Sequence, residues 1–487
     1  MDSTQIIPLV VVIVYLAAMF IASAAAGAIM RKRVAKTGVE RGGQGFLDAN
    51  KGLNTAMVAA MVAAGAIGGS STIGVAQNVF TSGMSGAMYT FAWFCAALFL
   101  AFVISKPLRR VKMVTLPGIF GETFGGTARL LMIICQLILM LCIIALQFVA
   151  GGAILSAMLP QFFTNTSGMI LTAVVFVAMT MIGGMLGAGF TNIINCIVIY
   201  VGLIFGAISA LNGVGGMENL TIQLSTAKPD VPWMSLTAGL GLATIIAWVI
   251  TQITSVPSAQ QNVQIPLSAK STKTAVIGLV IGAIIILPCG FVSGIFGLVA
   301  ANQFPDIASA SAMPAVAMTL PPVLGGLLLS GLWAADISTG MNILIGSANI
   351  ITNDIIDILR KDGKKSSVGL TRLVILIVGA ITLFMALQVK SILGTLMNVQ
   401  NVSVGVMVIF LFILYKPSML RKSSATACLV VNLIIMALWL FVPAIHAMNI
   451  IYLCWPVILV TFFITVAVDK RTVEIPRYTE EELKAIN

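Results

Sequence analysis

A long apolar stretch of the chain carries a carboxylate and two adjacent hydroxyls near its centre. The stretch is GLLLSGLWAADISTGMNILIGSANIITNDI, residues 326–355, and the side chains are Asp336, Ser338 and Thr339. Ser338 and Thr339 follow Ala335 at i+3 and i+4, so in a helix these positions share one face. Two hydroxyls and the Ala335 carbonyl supply three of the oxygens that a hard cation requires. The alternative is that each hydroxyl bonds to a carbonyl one turn earlier in its own helix.

The remaining oxygens of such a site would come from a second, glycine-rich segment. Residues 63–75 read AAGAIGGSSTIGV. They make a poor continuous helix, because each glycine costs about 1 kcal/mol relative to alanine. One interpretation is close packing between helices through small residues. The other is a broken helix whose freed carbonyls face an ion or a solute, since irregular backbone at membrane depth must line a cavity or be buried in protein.

Another apolar segment is interrupted in a similar way. Residues 247–264, AWVITQITSVPSAQQNVQ, contain Pro257. Proline removes a backbone donor and kinks a helix. Among the spans given below, the two weak points fall in the second and the seventh, five apart. This spacing predicts two inverted five-helix repeats with a binding site at their interface.

The composition indicates where these segments lie. The chain has 487 residues, 59% of them hydrophobic and only 9% charged, with a mean hydropathy of +1.07. Its apolar runs recur at a length of roughly 20 residues, which a hydrocarbon core of about 30 Å requires of a helix. We therefore predict an all-α polytopic membrane protein. About thirteen spans are expected: 6–30, 53–80, 85–105, 128–158, 168–188, 191–212, 235–257, 274–300, 321–352, 370–388, 392–415, 424–443 and 447–468.

The distribution of Lys and Arg predicts the orientation of these spans. If residues 31–52 are cytoplasmic and the spans alternate, 25 of the 27 basic residues fall on the cytoplasmic side, leaving Lys228 and Lys390 outside. Such segregation is what the positive-inside rule demands. We expect a multi-pass protein of the cell membrane with its N-terminus outside and its C-terminus in the cytoplasm. The net charge of +11 is thus a topology signal and predicts no nucleic-acid partner.

Little in the sequence favours an enzyme. The seven cysteines lie in apolar runs without CxxC spacing, so they read as small core residues. The single histidine, His446, has no nucleophile or metal-ligand set around it. We therefore predict no catalytic residues and no resident metal centre, and no obligatory protein partner is evident.

Five segments, in order and at matching spans, are similar to motifs of one transporter family. They are IGVAQNVFTSGMSG (73–86), VTLPGIFGETFGG (114–126), GGMLGAGFTNIIN (183–195), AADISTGMNILIGSANIITNDI (334–355) and ILYKPSMLRKSSATA (413–427). On these segments the chain resembles the sodium:solute symporter family, the relatives of the sodium/proline and sodium/glucose cotransporters.

The resemblance implies an architecture and an ion site. It implies a LeuT-type 5+5 inverted-repeat core with one extra N-terminal helix and two extra C-terminal helices. The expected division is an extra helix in 1–30, a first repeat in 53–212, a second in 235–415, two peripheral helices in 424–468 and a cytoplasmic tail in 469–487. Carried over by motif, the sodium ligands are the carbonyls of Ala64, Ile67 and Ala335 and the hydroxyls of Ser338 and Thr339.

The chain departs from the family pattern in three places. Asn192 stands where the family usually has an aspartate. A second sodium site known in some members uses that aspartate with extra serines, which are Met341 and Asn342 here, so we expect one sodium ion. Ala92-Trp93 replaces the Glu-Trp pair of the sugar transporters and argues against a sugar.

The function that these features favour is symport of sodium with a small polar organic solute, such as an amino acid, organic acid or osmolyte, across the lipid bilayer. A sodium-independent facilitator and a transporter-shaped sensor are the alternatives. Polar side chains near the interrupted spans are candidate solute ligands: Ser70, Ser71, Thr72, Gln147, Trp248, Thr251, Gln252, Asn398 and Asn401, with Gln77 ranked below them.

Asp336 has no counterpart in the family pattern. A charged carboxylate in a span costs about 3 kcal/mol on insertion scales. It is either protonated and bonded to a neighbouring helix, part of an aqueous wall, or a coupling carboxylate. As a coupling group it would compensate for Asn192, carry a proton in a proton-coupled symporter, or pair with a cationic solute.

The compensation hypothesis predicts that Asp336→Asn weakens the sodium dependence of transport, because the substitution removes the remaining carboxylate near the cation. The measurement is solute uptake against sodium concentration. Unchanged sodium activation would exclude this role.

Overall fold

The computed structural model describes most of the chain. The described residues are 10–29 apart from 12, 16 and 26, then 51–356, 359, 366–388, 399–442, 449–479 and 482. Apart from three isolated backbone bridges, the regular structure of these residues is helical. The α-helices are α1 (Ile13–Ile29), α2 (Thr55–Ala66), α3 (Ile73–Ser82), α4 (Met88–Phe99), α5 (Ser105–Leu108), α6 (Leu116–Phe124), α7 (Gly126–Met158), α8 (Asn165–Gly213), α9 (Gly216–Ala227), α10 (Leu242–Ser255), α11 (Gln260–Ser268), α12 (Thr272–Gln303), α13 (Ala312–Thr319), α14 (Pro322–Ile350), α15 (Val368–Ala386), α16 (Ser403–Tyr415), α17 (Ser424–Phe441) and α18 (Ile451–Val468).

Many of these helices are suited to a bilayer. Among the described residues, eight helical stretches are long and apolar enough to cross a membrane, and a ninth is the bent pair α10–α11. Four further apolar helices are shorter than 18 residues: Ile13–Ile29, Thr55–Ala66, Gln400–Tyr415 and Ser424–Trp439. Each span expected from the sequence overlaps a described helix, but Ile73–Leu108 is one stretch of 36 residues that covers the end of the second expected span and the third.

Both interruptions expected from the sequence are present. The second span is two helices, α2 and α3, separated by residues 67–72. The seventh bends by 57° between α10 and α11. One boundary between expected spans was predicted at the wrong place. The sequence predicted that one span ends at residue 188 and the next begins at 191, but the backbone departs from helical geometry at Gly184, with φ 55° and ψ −153° inside α8. A positive φ of this kind is open to glycine at little cost.

Helix α14 lies at the centre of the bundle. Its most apolar part is wholly buried, although α14 is markedly less hydrophobic than α12. Glycines bring it close to α8: a Cβ on Gly331 would lie 3.2 Å from the Ile199 Cα, and one on Gly340 would lie 2.1 Å from the Phe176 ring. Because α14 faces protein rather than lipid, it can carry Asp336 and several other polar residues.

Helix α12 packs against the broken helix from another side. Its contact face is built from glycines, as is usual where membrane helices approach closely. A Cβ on Gly278 would lie 2.6 Å from Val58, and one on Gly282 would lie 2.0 Å from the Val62 side chain. Further along, a Cβ on Gly297 would lie 2.4 Å from a carbonyl of α3. The same face of α12 therefore supports both halves of the break.

The residues after α18 fold back over two loops. Arg477 pairs with Val111 in an antiparallel bridge, and its guanidinium donates to the last carbonyls of α16 at 3.1 Å. Thr472 pairs in the same way with Arg421. Lys112 contacts Glu482 at 2.8 Å, and this hydrogen bond holds the pKa of the Glu482 carboxyl below its usual value.

We expect Gly282→Ala to destabilise the protein, because its new methyl would overlap the Val62 side chain. Overpacking of this kind costs about 1–3 kcal/mol. The measurement is the unfolding temperature of the purified protein in detergent. Gly126→Ala is the matched control, since nothing lies within 4 Å of its Cβ position. Equal unfolding temperatures for the two variants would contradict the packing described here.

Candidate functional site

The break between α2 and α3 satisfies much of its own hydrogen bonding. The last helical bond of α2 runs from the Ile67 N–H to the Ala63 carbonyl at 2.7 Å. Beyond it, the N–H groups of Ser71 and Thr72 donate to the Gly68 carbonyl at 3.0 and 3.2 Å. The hydroxyls of the same two residues also bond within the segment, Thr72 to the Gly68 carbonyl at 3.0 Å and Ser71 to the carbonyl of Ala66.

Helix α14 holds this break at two points. The Thr339 hydroxyl donates to the Ala64 carbonyl at 2.7 Å, and the Asp336 carboxylate accepts from the Gly69 N–H at 2.7 Å. Asp336 and Thr339 are three residues apart and so lie on one face of α14. One helix therefore binds a carbonyl just before the break and an N–H within it.

Two of the oxygens predicted as cation ligands, the Thr339 hydroxyl and the Ala64 carbonyl, meet at this junction. The Gly68 N–H, which a continuous helix would direct to Ala64, donates instead to the carbonyl of Ala66 at 3.2 Å. Ala64 is thus left to the Thr339 hydroxyl. Ser338 is fully buried beside Thr339, Ile67 is the first residue beyond α2, and Ala335 lies within α14. An all-oxygen donor set of carbonyls and hydroxyls suits a hard cation such as sodium.

Asp336 is fully buried, and its partner is the broken helix. Its second carboxylate oxygen, Oδ2, has no hydrogen-bond partner among the described residues. Asn192, the residue it was expected to compensate for, bonds elsewhere. Its side-chain N–H donates to the side-chain oxygen of Asn342 at 3.2 Å, and the Asn342 side-chain N–H donates to the Met61 backbone carbonyl at 3.3 Å. Of the roles considered from the sequence, bonding to a neighbouring segment is the one visible in these contacts.

A cavity of about 40 Å³ adjoins the break. For comparison, a single water requires roughly 10–15 Å³ by this kind of measure. The cavity is bounded by the end of α2, by α4, α7 and α14, and by the hinge between α10 and α11. Three of the residues predicted as ion or solute ligands line it: Ser70, Gln147 and Thr339.

The other predicted solute ligands that the structure describes do not line this cavity. Ser71 and Thr72 direct their hydroxyls to the backbone, as described above. Trp248 packs edge-on against the Tyr89 ring at 6.0 Å, one layer away from the cavity. Thr251 and Gln252 are buried on α10, and the Gln77 side chain bonds to Ser309 at 3.4 Å. The backbone carbonyl of Asn401 accepts from the Asn432 side chain at 3.2 Å. Asn398 lies outside the described residues.

Several cavity residues were not expected from the sequence. Tyr89 and Trp93 lie one turn apart on α4, where the Trp93 indole N–H donates to the Tyr89 hydroxyl at 3.1 Å and Tyr89 in turn donates to Ser70 at 3.3 Å. The i, i+4 spacing of the two rings was the available signal. Gln261, Asn262 and Gln400 also line the cavity, the first two directly after the Pro257 hinge.

Comparison with known proteins gives a consistent result. The model of the sodium:solute symporter family matches residues 46–430. The high-affinity proline transporter PutP of Bacillus subtilis is 24% identical over 358 residues, covering 70% of this chain and 74% of that protein. Sodium/proline symporter 2 of Staphylococcus saprophyticus is 22% identical over 424 residues, covering 81% and 80%. A solved Na⁺-coupled sialic acid symporter, substrate-bound and outward-open, shares the fold, with a TM-score of 0.78 at 15% identity over 96% of this chain and 99% of that one.

We expect Gly68→Ala to separate Thr339 from Ala64. The new methyl would lie 2.8 Å from the Thr339 hydroxyl oxygen and 3.1 Å from the Gln147 carbonyl oxygen, so both side chains would have to move. The unfolding temperature in detergent should fall, by an amount that reflects overpacking of about 1–3 kcal/mol.

Gly65→Ala is the matched control for this substitution. It lies in the same segment, but its nearest neighbour, the Asn262 side-chain oxygen, would be 3.7 Å away. An equal loss of stability in Gly65→Ala and Gly68→Ala would contradict the prediction that close contacts with Thr339 and Gln147 make Gly68 necessary.

Proposed function

The chain belongs to the sodium:solute symporter family, and from that membership we propose that it imports a small polar organic solute together with sodium by alternating access. The family and the matched proteins are transporters, so the protein is a multi-pass membrane transporter and not an enzyme. The names of its relatives refer to proline and to sialic acid, both small solutes, and sodium is the expected co-transported ion.

One contact carries the proposal of a sodium site: the Thr339 hydroxyl lies 2.7 Å from the Ala64 carbonyl. These are two of the five groups expected to bind sodium, and they come from helices far apart in the sequence. The others are the carbonyls of Ile67 and Ala335 and the Ser338 hydroxyl. A bound cation would be coordinated by the Thr339 and Ala64 oxygens together, which here contact each other through a hydrogen bond.

The position of the site suggests how sodium and solute are coupled. Gly68 separates the Thr339 hydroxyl from the Gln147 amide, which lines the adjacent cavity. Sodium bound at Thr339 would order the break, and the break forms one wall of the cavity. Sodium and solute then each favour the conformation that the other requires, so the binding of one raises the affinity for the other.

The finer architecture is part of the same proposal: thirteen spans, with inverted repeats in 53–212 and 235–415. The two interrupted spans, five apart in the expected order, support it. The orientation, N-terminus outside and C-terminus cytoplasmic, is supported by contacts among segments that the charge rule assigns to one side. Residues 471–478 pair with the loops around Val111 and Arg421.

Removal of both hydroxyls, in the double variant Ser338→Ala/Thr339→Ala, tests the site. The unfolding temperature of wild type should be higher in NaCl than in KCl at equal ionic strength. At a sodium concentration tenfold above Kd, binding adds about 1.4 kcal/mol. In the double variant this difference between the salts should vanish.

Thr382→Ala is the control, because it removes a buried hydroxyl that donates to the Val378 carbonyl at 2.7 Å within α15. It should keep the sodium effect of wild type. A sodium effect that survives in the double variant would refute the site, and its absence from wild type would refute sodium coupling.

A further inference from the structure

We infer that the solute is uncharged and amide-like: a small planar molecule with neighbouring N–H donors and C=O acceptors, such as a ureide or a lactam ring. This inference rests on the proposed symport function and narrows its substrate class. It follows from two features: the side chains that face the cavity, and the way the chain already uses the backbone donors at the break.

The cavity presents side-chain amide oxygens that lack partners. The side-chain carbonyl oxygens of Gln147, Gln261 and Gln400 have no hydrogen bond within the described part of the chain. Gln147 and Gln400 are each only 5% exposed, and all three line the cavity. A buried polar group without a partner destabilises the protein, and a ligand that bonds to it would remove that cost.

The chemistry of these amides selects the ligand. A glutamine side chain presents one carbonyl acceptor beside two N–H donors. It therefore pairs through two parallel bonds with a group that offers a donor next to an acceptor, as glutamine does with the edge of adenine. A carboxylate offers acceptors alone, so it could accept from the amide N–H groups but would leave the three carbonyl oxygens without a partner.

No charged side chain compensates for an anion here. Among the described residues that line the cavity there is no Lys, Arg, His, Asp or Glu. Apart from a sodium ion bound at Thr339, a carboxylated solute would therefore depend on backbone N–H groups at the start of α3, where a helix N-terminus favours negative charge. Those groups are the remaining candidates for binding an anion.

Several backbone donors at the break already have partners within the chain. The N–H groups of Ser71 and Thr72 bond to the Gly68 carbonyl, and that of Gly74 bonds to the Gly69 carbonyl at 2.8 Å. The Gly69 N–H is bound by the Asp336 carboxylate at 2.7 Å. The chain thus places its own carboxylate on a donor that an anionic solute would need.

Aromatic rings complete the cavity. Tyr89 and Trp93 line it, and their polar groups are bonded to each other and to Ser70. Trp248 supports the Tyr89 ring edge-on. Flat apolar faces beside amide groups suit a planar solute that stacks on a ring and bonds through its edge.

The experiment compares matched pairs of probes on the purified full-length protein. Uracil is paired with its 6-carboxylate, orotate, and 2-pyrrolidinone with its carboxylated form, 5-oxoproline; proline is an additional carboxylated probe. Unfolding temperatures are measured against probe concentration in NaCl and in KCl. We expect at least one uncharged member to stabilise the protein in NaCl with an affinity at least tenfold higher than its carboxylated partner.

Two variants connect such binding to the cavity. Gln147→Leu should lower the affinity for the uncharged probe at least tenfold, while sodium without a probe should still raise the unfolding temperature. Gln223→Ala is the control. The Gln223 side-chain oxygen accepts a hydrogen bond from the Asn302 side chain at 2.7 Å, and Gln223 does not line the cavity. Unchanged probe affinity in Gln147→Leu would overturn the assignment.

The outcomes separate this inference from the function beneath it. The inference is overturned if the carboxylated probes stabilise the protein more than their uncharged partners, or if none of the uncharged probes stabilises it. In either case, an effect of sodium on the unfolding temperature of wild type would still support symport. Absence of any sodium effect on wild type counts against the proposed function itself.

Discussion

In hydrocarbon a backbone N–H or C=O group cannot bond to water, so a helix that breaks inside a membrane must find partners for the groups it frees. The break at residues 67–72 does so in two ways. It folds on itself through Ser71 and Thr72, and it takes two bonds from α14, at Ala64 and Gly69. The second solution requires α14 to carry polar side chains and to approach the break closely. Much of the surrounding packing follows from that requirement.

The burial of α14 is one consequence. A helix that presents a carboxylate and hydroxyls cannot face lipid, and the most apolar part of α14 is wholly buried among other helices. The glycines of α12 are another. They allow that helix to lie directly against α2 and α3, so the interrupted segment is supported from both sides although it lacks a continuous hydrogen-bond ladder. Rigid neighbours hold an irregular segment in place, which a site assembled from loose carbonyls needs.

Local sequence features predicted much of this arrangement. Hydropathy and run length predicted helices in the expected spans, and glycine and proline predicted both breaks, because those residues alter the backbone at their own positions. The proximity of Thr339 to Ala64 followed from family motifs. The Gly184 division was missed because Gly183 and Gly187 offered the same freedom nearby. The bond from Asp336 to Gly69 and the convergence of Gln261 and Gln400 on one cavity depend on distances between remote segments, which no local pattern contains.

The segment after α18 illustrates how such a fold can vary. Its docking relies largely on main-chain groups: the Lys112 N–H bonds to the Pro476 carbonyl at 2.9 Å, the Tyr478 N–H to the Arg110 carbonyl at 3.0 Å, and the Lys422 N–H to the Arg471 carbonyl at 3.0 Å. The ion pair of Lys112 with Glu482 is partly exposed on both sides and contributes little. Main-chain pairing is indifferent to most side chains. Most side chains of this segment, Arg477 apart, can therefore differ while its length and path, and the two loops it joins, stay constant.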